Sequence, residues 1–142
     1  MSSIVAVRDK FRDTALNLST IETFSFDDLD LALNQINNNY RLFHLSVPEE
    51  STITDFNKPY QNWPIQCWLF DIDDQSTPES RIELWEGLET KMNEFMSKLL
   101  ELPAEIRLSP TNAIIIQRGH YQHTDSLIGV RYAFSIDIFE CR

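Results

Sequence analysis

Two histidines and an aspartate fall close together in the stretch GHYQHTDS near the C-terminus. His120, His123 and Asp125 are residue types that bind zinc, but a zinc site needs three or four ligands that converge. Side chains three positions apart point to opposite faces of a strand, and Gly119 with the polar residues after His123 is typical of a turn. We therefore predict a polar hairpin tip that contacts a neighbouring molecule and binds no metal.

The segment DIDD (71–74) resembles part of a calcium-binding loop. Such a loop needs glycine at its sixth position and glutamate at its twelfth, and Ile82 stands at the twelfth position here. The sequence therefore excludes an EF-hand. Paired carboxylates such as Asp71 and Asp73 can act as general acid and base, but nothing beside them indicates a substrate pocket. We interpret the segment as the end of a strand that runs into an acidic loop.

Motifs for nucleophilic catalysis and for phosphate binding are missing from the sequence. There is no GxSxG segment, and Cys67 lies in an apolar, strand-like stretch. The chain has three glycines, which excludes Gly-rich phosphate loops. Its two cysteines, Cys67 and Cys141, are too few for a disulfide framework, so we expect reduced thiols. The sequence predicts no catalytic residue, no cofactor and no metal, and a protein that is not an enzyme.

Composition and charge limit the partners. A chain of 142 residues predicts one domain, spanning 1–142. The net charge is −10, and the segment from Asp71 to Glu105 contains ten acidic residues and three basic ones. An acidic surface repels phosphate, so DNA could pass the protein but would not adhere to it. No run reaches the ~20 apolar residues of a membrane span, and the N-terminus lacks a secretory signal. We expect an intracellular protein that does not enter a membrane.

The helices that must support these residues are predicted from apolar residues at helical spacing. A first helix begins near residue 3, and a second follows Ser25 as its N-cap, so the N-terminal helices span 3–37. The strongest pattern is a long helix with Thr77 as N-cap and Pro78 at its first position. Its apolar stripe consists of Ile82, Trp85, Leu88, Met92, Phe95, Met96 and Leu99. Gly87 interrupts this helix and suggests that another backbone lies close to it.

Four strands are predicted from alternating or continuous apolar residues, at 40–47, 63–73, 113–121 and 130–141. The second is apolar on both faces, which is typical of a central strand. The segment 48–62 is longer than most connections, so we predict a contact loop there with Phe56 and Tyr60 as anchors. The sequence thus predicts an α+β two-layer sandwich. It consists of a mostly antiparallel four-stranded sheet, one long amphipathic helix packed across it, and two shorter N-terminal helices.

This layout resembles the small neck and tail-completion proteins of tailed bacteriophages, especially the tail-terminator group. The similar parts are the strands YRLFHLSV and WPIQCWLFDID, the long helix, and the segment AIIIQRGHYQHTDSLIGVRYAFSIDIFEC. The final piece, HTDSLIGVRYAFSIDIFEC, resembles the ending of such proteins from phages of Bacteroidetes hosts. The resemblance covers roughly residues 40–142. It implies a non-catalytic protein, made in the host cytoplasm and located in the virion. That protein forms a ring, commonly a hexamer, which contacts portal and tail proteins and lets DNA pass.

Three functions from different classes follow. The first is a ring-forming viral structural protein, with Phe56, Tyr60, Trp63, His120, His123 and Asp125 as the predicted interface. The second is a small adaptor that binds a protein partner through loop 48–62. The third is a metal-dependent enzyme built on His120, His123 and Asp125, which the short ligand set makes the weakest of the three.

Overall fold

A computed structural model describes residues 4–18, 21–26, 41–46, 50–53, 55–73, 75, 77–101, 106–108, 113–122 and 126–139. Its elements, in chain order, are α1 (Ile4–Leu16), β1 (Thr23–Phe26), β2 (Leu42–Leu45), β3 (Tyr60–Ile72), α2 (Pro78–Leu100), β4 (Ile106–Leu108), β5 (Ile115–Gln122) and β6 (Ser126–Phe139). The protein belongs to the α+β class, as the sequence predicts. Neither of the described helices is long and apolar enough to cross a membrane.

The strands form one sheet in the order β1-β2-β3-β6, with β4 and β5 both on the far side of β6. β5 pairs with the first part of β6 and β4 with its last part, so the strands fill five positions across the sheet. β1 and β2 are parallel, and the other pairs are antiparallel. The predicted four-stranded, mostly antiparallel sheet is therefore corrected to a larger, mixed one.

The two strands that the sequence does not predict, β1 and β4, are short. Ser25, predicted as the N-cap of a second helix, lies within the four-residue β1. The body of that predicted helix, 27–37, lies outside the described residues. β4 has three residues and follows soon after Pro103. Strands this short take their structure from their neighbours more than from their own residue pattern.

β3 is the central strand, with β2 on one side and β6 on the other. One of its faces carries Trp63, Ile65, Cys67 and Leu69 into the main core. Its other face carries Trp68 and Phe70 into a second cluster with Leu42 and Leu127. The prediction of a strand buried on both faces is confirmed. Pro64 is tolerated because β2 pairs only with 67–70, so its missing N–H leaves no β2 carbonyl without a donor.

α2 packs its apolar stripe on the sheet face that carries Val130, Phe134 and Ile138, together with α1. The buried members of the stripe are Leu88, Met92, Phe95, Met96 and Leu99. The Phe95 ring lies 4.6 Å from the Phe43 ring and 5.6 Å from the Phe11 ring, measured between centroids. The predicted burial of Phe95 against the sheet is confirmed. Trp85 is only half-buried.

The start of α2 is fixed by the predicted cap. Thr77 Oγ1 accepts a hydrogen bond from the Ser80 backbone N–H at 3.1 Å, and Ser80 Oγ accepts one from the Thr77 N–H at 3.1 Å. This reciprocal pair satisfies two backbone donors that the helix leaves open at its first turn. The expectation about Gly87 is wrong, because a Cβ added there meets nothing within 4 Å.

Candidate interaction surfaces

Two carboxylates of the DIDD segment, those of Asp71 and Asp73, bind other residues of the fold. Asp73 is 2% exposed, and its Oδ1 accepts hydrogen bonds from Ser80 Oγ at 2.7 Å and from the Gln75 N–H at 3.2 Å. The Nε of Arg81 lies 3.7 Å from Asp73 Oδ2. Asp71 forms an ion pair with Arg41 at 3.2 Å. Asp73 therefore anchors the start of α2, while Asp71 anchors the residue that precedes β2.

Cys67 is fully buried, and its thiol donates to the Tyr132 carbonyl at 3.8 Å. Burial raises the pKa of this thiol far above its ordinary value. Burial, and secondly the negative charge of Glu89, raise the pKa of the Tyr132 phenol to about 12. The Tyr132 hydroxyl donates to Asn93 Oδ1 at 2.6 Å, which joins β6 to α2. Neither group ionises near neutral pH, so neither supplies a nucleophile.

A serine–histidine pair that sequence reasoning misses joins β1 to β2. Ser25 and His44 are partners in the parallel register, and 2.7 Å separates Ser25 Oγ from His44 Nδ1. His44 is 0% exposed, and its ring lies 5.6 Å from the Trp68 ring. A general base must reach a substrate, and full burial of His44 prevents this. We interpret the pair as a structural link on the second face of the sheet. Without a prediction of β1, no sequence signal brings these residues together.

The predicted interface residues fall in three places. His120 lies in β5, opposite Ile128 of β6, while His123 and Asp125 lie outside the described residues. Tyr60 lies at the start of β3, and Phe56 lies in the loop before it. Trp63 is 5% exposed, so it offers little surface to a partner. Among the described residues, no group of three or more His, Cys, Asp or Glu side chains is placed to hold a metal ion.

The first apolar region comprises Ile53, Phe56 and Tyr60, at and just before the start of β3, with Phe139 opposite Tyr60 in the sheet, and is called the tip below. Phe56 is 72% exposed and Phe139 is 40% exposed. The Tyr60 and Phe139 rings meet edge-on with centroids 5.9 Å apart. Strand β3 begins at Tyr60, so the connection is shorter than the predicted loop 48–62.

Backbone hydrogen bonds fix the loop that carries the tip. Thr52 and Asn62 exchange two of them, each 2.8 Å long, and the Lys58 N–H donates to the Asp55 carbonyl at 3.0 Å. The Asp55 carboxylate also accepts from the Asn57 N–H at 3.0 Å. Because a short turn held in this way has few conformations, the exposed aromatic is presented at low entropic cost.

The second exposed apolar surface runs along the outer side of β5 and comprises residues 113–117, called the edge below. Ile114, Ile115 and Ile116 are 39%, 58% and 41% exposed. Within the described ranges, β5 pairs only with β6, so its other side has no strand partner. The sequence predicts this strand but not its exposure.

The edge ends where α2 meets β5. Trp85 Nε1 donates a hydrogen bond to the Gly119 carbonyl at 3.2 Å. Arg118 forms an ion pair with Glu89 of α2. These two contacts cover the strand beyond Gln117 and leave the isoleucines outside.

No known protein family model matches the chain, and no curated protein is significantly similar to it in sequence. The tip and the edge are the two surfaces of the described residues on which a function can be argued. Both are apolar and exposed, and both lie outside the charged face of α2.

Proposed function

We propose that the protein is a structural component of a tailed bacteriophage. It assembles into a closed ring, commonly a hexamer, in the neck or at the end of the tail, as a tail terminator does. The ring contacts portal and tail proteins in the virion and lets DNA pass. The observation that carries this proposal is the tip, where a phenylalanine with 72% exposure stands on a loop fixed by backbone hydrogen bonds.

An exposed, fixed aromatic side chain is the kind of residue that anchors protein interfaces. Phe56 and Tyr60 supply the anchors, and the Phe139 ring of β6 meets the Tyr60 ring. Trp63 lies behind them in the main core, and its Nε1 donates to Gln61 Oε1. Trp63 therefore supports the tip and does not contact the neighbour. This departs from the predicted interface in the role of Trp63 and in adding Ile53 and Phe139. His120, His123 and Asp125 are not part of the tip.

A ring is built when a surface of one copy binds a different surface of the next and the rotation closes. The tip lies at one end of the sheet and can bind the side of a neighbouring copy. The contact then joins two different surfaces, the tip of one copy and the side of the next. The charge supports a role at a DNA passage. A chain with a net charge of −10 repels the phosphate backbone. A ring of such chains would guide DNA through without holding it.

The test is the size of the purified protein in solution. We expect the natural chain to sediment as a defined oligomer, alone or on adding the connector. Phe56→Ser removes the anchor and should give monomers with an unchanged circular dichroism spectrum. Ile82→Ser is the matched control, because Ile82 is 52% exposed on α2, away from the tip. It should assemble normally.

A second variant tests the whole loop. Replacing residues 50–59 by a short Gly-Ser linker leaves β3 intact and should abolish the ring. If the natural protein stays monomeric with and without the connector, the ring proposal is wrong. An adaptor that binds another protein through the same tip would then be favoured.

A further inference from the structure

The edge is an unusual feature for a protein of this charge. Of three consecutive isoleucines, 39–58% exposed, Ile115 and Ile116 lie on the edge strand β5 and Ile114 immediately before it. An edge strand has an open row of backbone groups that can pair with another chain. Ile115 is opposite Ala133 and so lies on the sheet face away from α2. Ile116 is opposite Tyr132, on the face that carries α2. The edge is thus apolar on both faces.

The geometry limits which backbone groups are open. The Ser46 N–H donates to the Gln66 carbonyl, so the even-numbered residues of β3 direct their backbone groups toward β2 and the odd-numbered ones toward β6. In an antiparallel pair, the inward and outward directions alternate from residue to residue. Carried through the register across β6, this alternation directs the N–H and C=O of Ile115 and Gln117 toward β6. Those of Ile116, and of Ile114 just before the strand, point outward. Trp85 and the Arg118–Glu89 ion pair close the strand beyond this point.

We propose that the edge pairs with the edge of a second copy of this chain, antiparallel, about a twofold axis through Ile115. In this register Ile115 is opposite Ile115, Ile114 is opposite Ile116, and Ala113 is opposite Gln117. All isoleucines then meet isoleucines, and β-branched cross-strand pairs stabilise a sheet. The outward groups of Ile114 and Ile116 exchange backbone hydrogen bonds with their counterparts in the second copy, which is strand addition at a sheet edge.

Charge favours a second copy as the occupant. A chain with a net charge of −10 is repelled by its own copies wherever its surface is acidic. Residues 113–117 carry no charge, and the adjacent Arg118 is already neutralised by Glu89 within the same copy. The edge is therefore a place where two copies can approach without bringing uncompensated charges together.

The size of the contact sets its strength. The exposed parts of the three isoleucines amount to between one and two whole side chains per copy. This is well below the ~1,200 Å² of total buried surface found in stable complexes. The pair is therefore weak and depends on protein concentration. A contact about a twofold axis closes at two copies, so it covers the edge in the free protein without starting a fibre.

This pairing is independent of the proposed ring, because the ring uses the tip in a head-to-tail contact. It is best tested in the Phe56→Ser background, where the ring contact is removed. Concentrated protein should shift from the monomer mass to twice that mass in sedimentation equilibrium. Ile115→Lys should abolish the shift, and Ile82→Lys, at a similarly exposed position on α2, should not. A Phe56→Ser protein that stays monomeric at every concentration would overturn the proposal.

Disulfide trapping tests the register. In a Cys141→Ser background, Ile115→Cys should form a covalent dimer on mild oxidation, since a non-hydrogen-bonded antiparallel pair has Cα atoms about 4.5 Å apart, within the disulfide range. Ile114→Cys and Ile116→Cys should not dimerise alone, because each is displaced from its own copy by about 7 Å along the strand. Mixed together, they should form a heterodimer. Equal cross-linking at all three positions would indicate random collision. An Ile115→Cys protein that stays unlinked would indicate a head-to-tail contact at the edge. Either result contradicts the twofold axis.

Discussion

At the scale of residues, the fold encloses three of the described groups with reactive chemistry, Cys67, His44 and Asp73. Cys67 donates to a backbone carbonyl inside the core, and Asp73 holds the first turn of α2. His44 is fully buried beside Trp68. Each of these groups has a structural partner. What the chain exposes instead is apolar, at the tip and at the edge, and such surfaces bind other proteins.

The buried thiol and phenol make stability fall at alkaline pH. Both pKa values are raised in the folded protein, so the unfolded chain releases these protons first. The stability they contribute is complete below the unfolded pKa and is lost as pH rises toward the folded one. The loss should begin above about pH 8.5, the ordinary thiol pKa, and Tyr132 should add to it between pH 10 and about 12. Urea unfolding across this range measures it.

Two further measurements check the assignment. Tyr132→Phe should unfold more easily at pH 7, because Asn93 loses its partner, but should lose less stability than the natural protein above pH 10. Cys67 should react with a thiol reagent only when the protein unfolds. A constant unfolding free energy up to pH 11, or rapid labelling of native Cys67, would contradict the burial of these groups.

At the scale of elements, α2 contains a glycine that lowers the stability of the helix. Gly87 lies in the helix interior, and a methyl group added there meets nothing within 4 Å. Glycine costs a helix interior roughly 0.5–1 kcal/mol relative to alanine. Gly87→Ala should therefore raise the free energy of unfolding by about that amount. The neighbouring Leu88→Ala, at a fully buried position, should lower it by about 2–5 kcal/mol. A destabilised Gly87→Ala would mean that the helix face at this point is not open.

The elements also show what a sequence can and cannot reveal. The apolar patterns of α2 and β3 extend over many residues, so both were predicted with their buried faces. β1 was missed because Ser25, followed by two aspartates, has the pattern of a helix cap. The sequence predicts a contact loop at 48–62 because that segment is long and polar, and the contact itself stays a prediction. The edge was not predicted, because three isoleucines in succession indicate burial, and only the pairing of β5 with a single neighbour shows that they are exposed.

At the scale of the whole molecule, electrostatic repulsion between copies opposes their association through apolar surfaces. The net charge of −10 acts between copies at a distance, while the tip and the edge act only on contact. The range of the repulsion depends on salt: the screening length is about 30 Å at 0.01 M ionic strength and about 8 Å at 0.15 M. At low salt, repulsion extends across a whole domain of this size. At physiological salt, it is confined to charges that nearly touch.

Ring assembly should therefore strengthen as salt is added. We expect the oligomeric fraction to rise between 0.01 and 0.15 M salt at fixed protein concentration, because the repulsion weakens while the apolar contact at the tip does not. Phe56→Ser is the control: salt cannot replace a missing anchor, so this variant should not form the ring at either concentration. DNA should fail to bind at both, since an acidic surface gives no counterion release. Sedimentation velocity measures the oligomer and a gel-shift experiment measures DNA binding. A ring that dissociates as salt rises would instead be held by ion pairs between copies. The tip would then not be the contact that builds it.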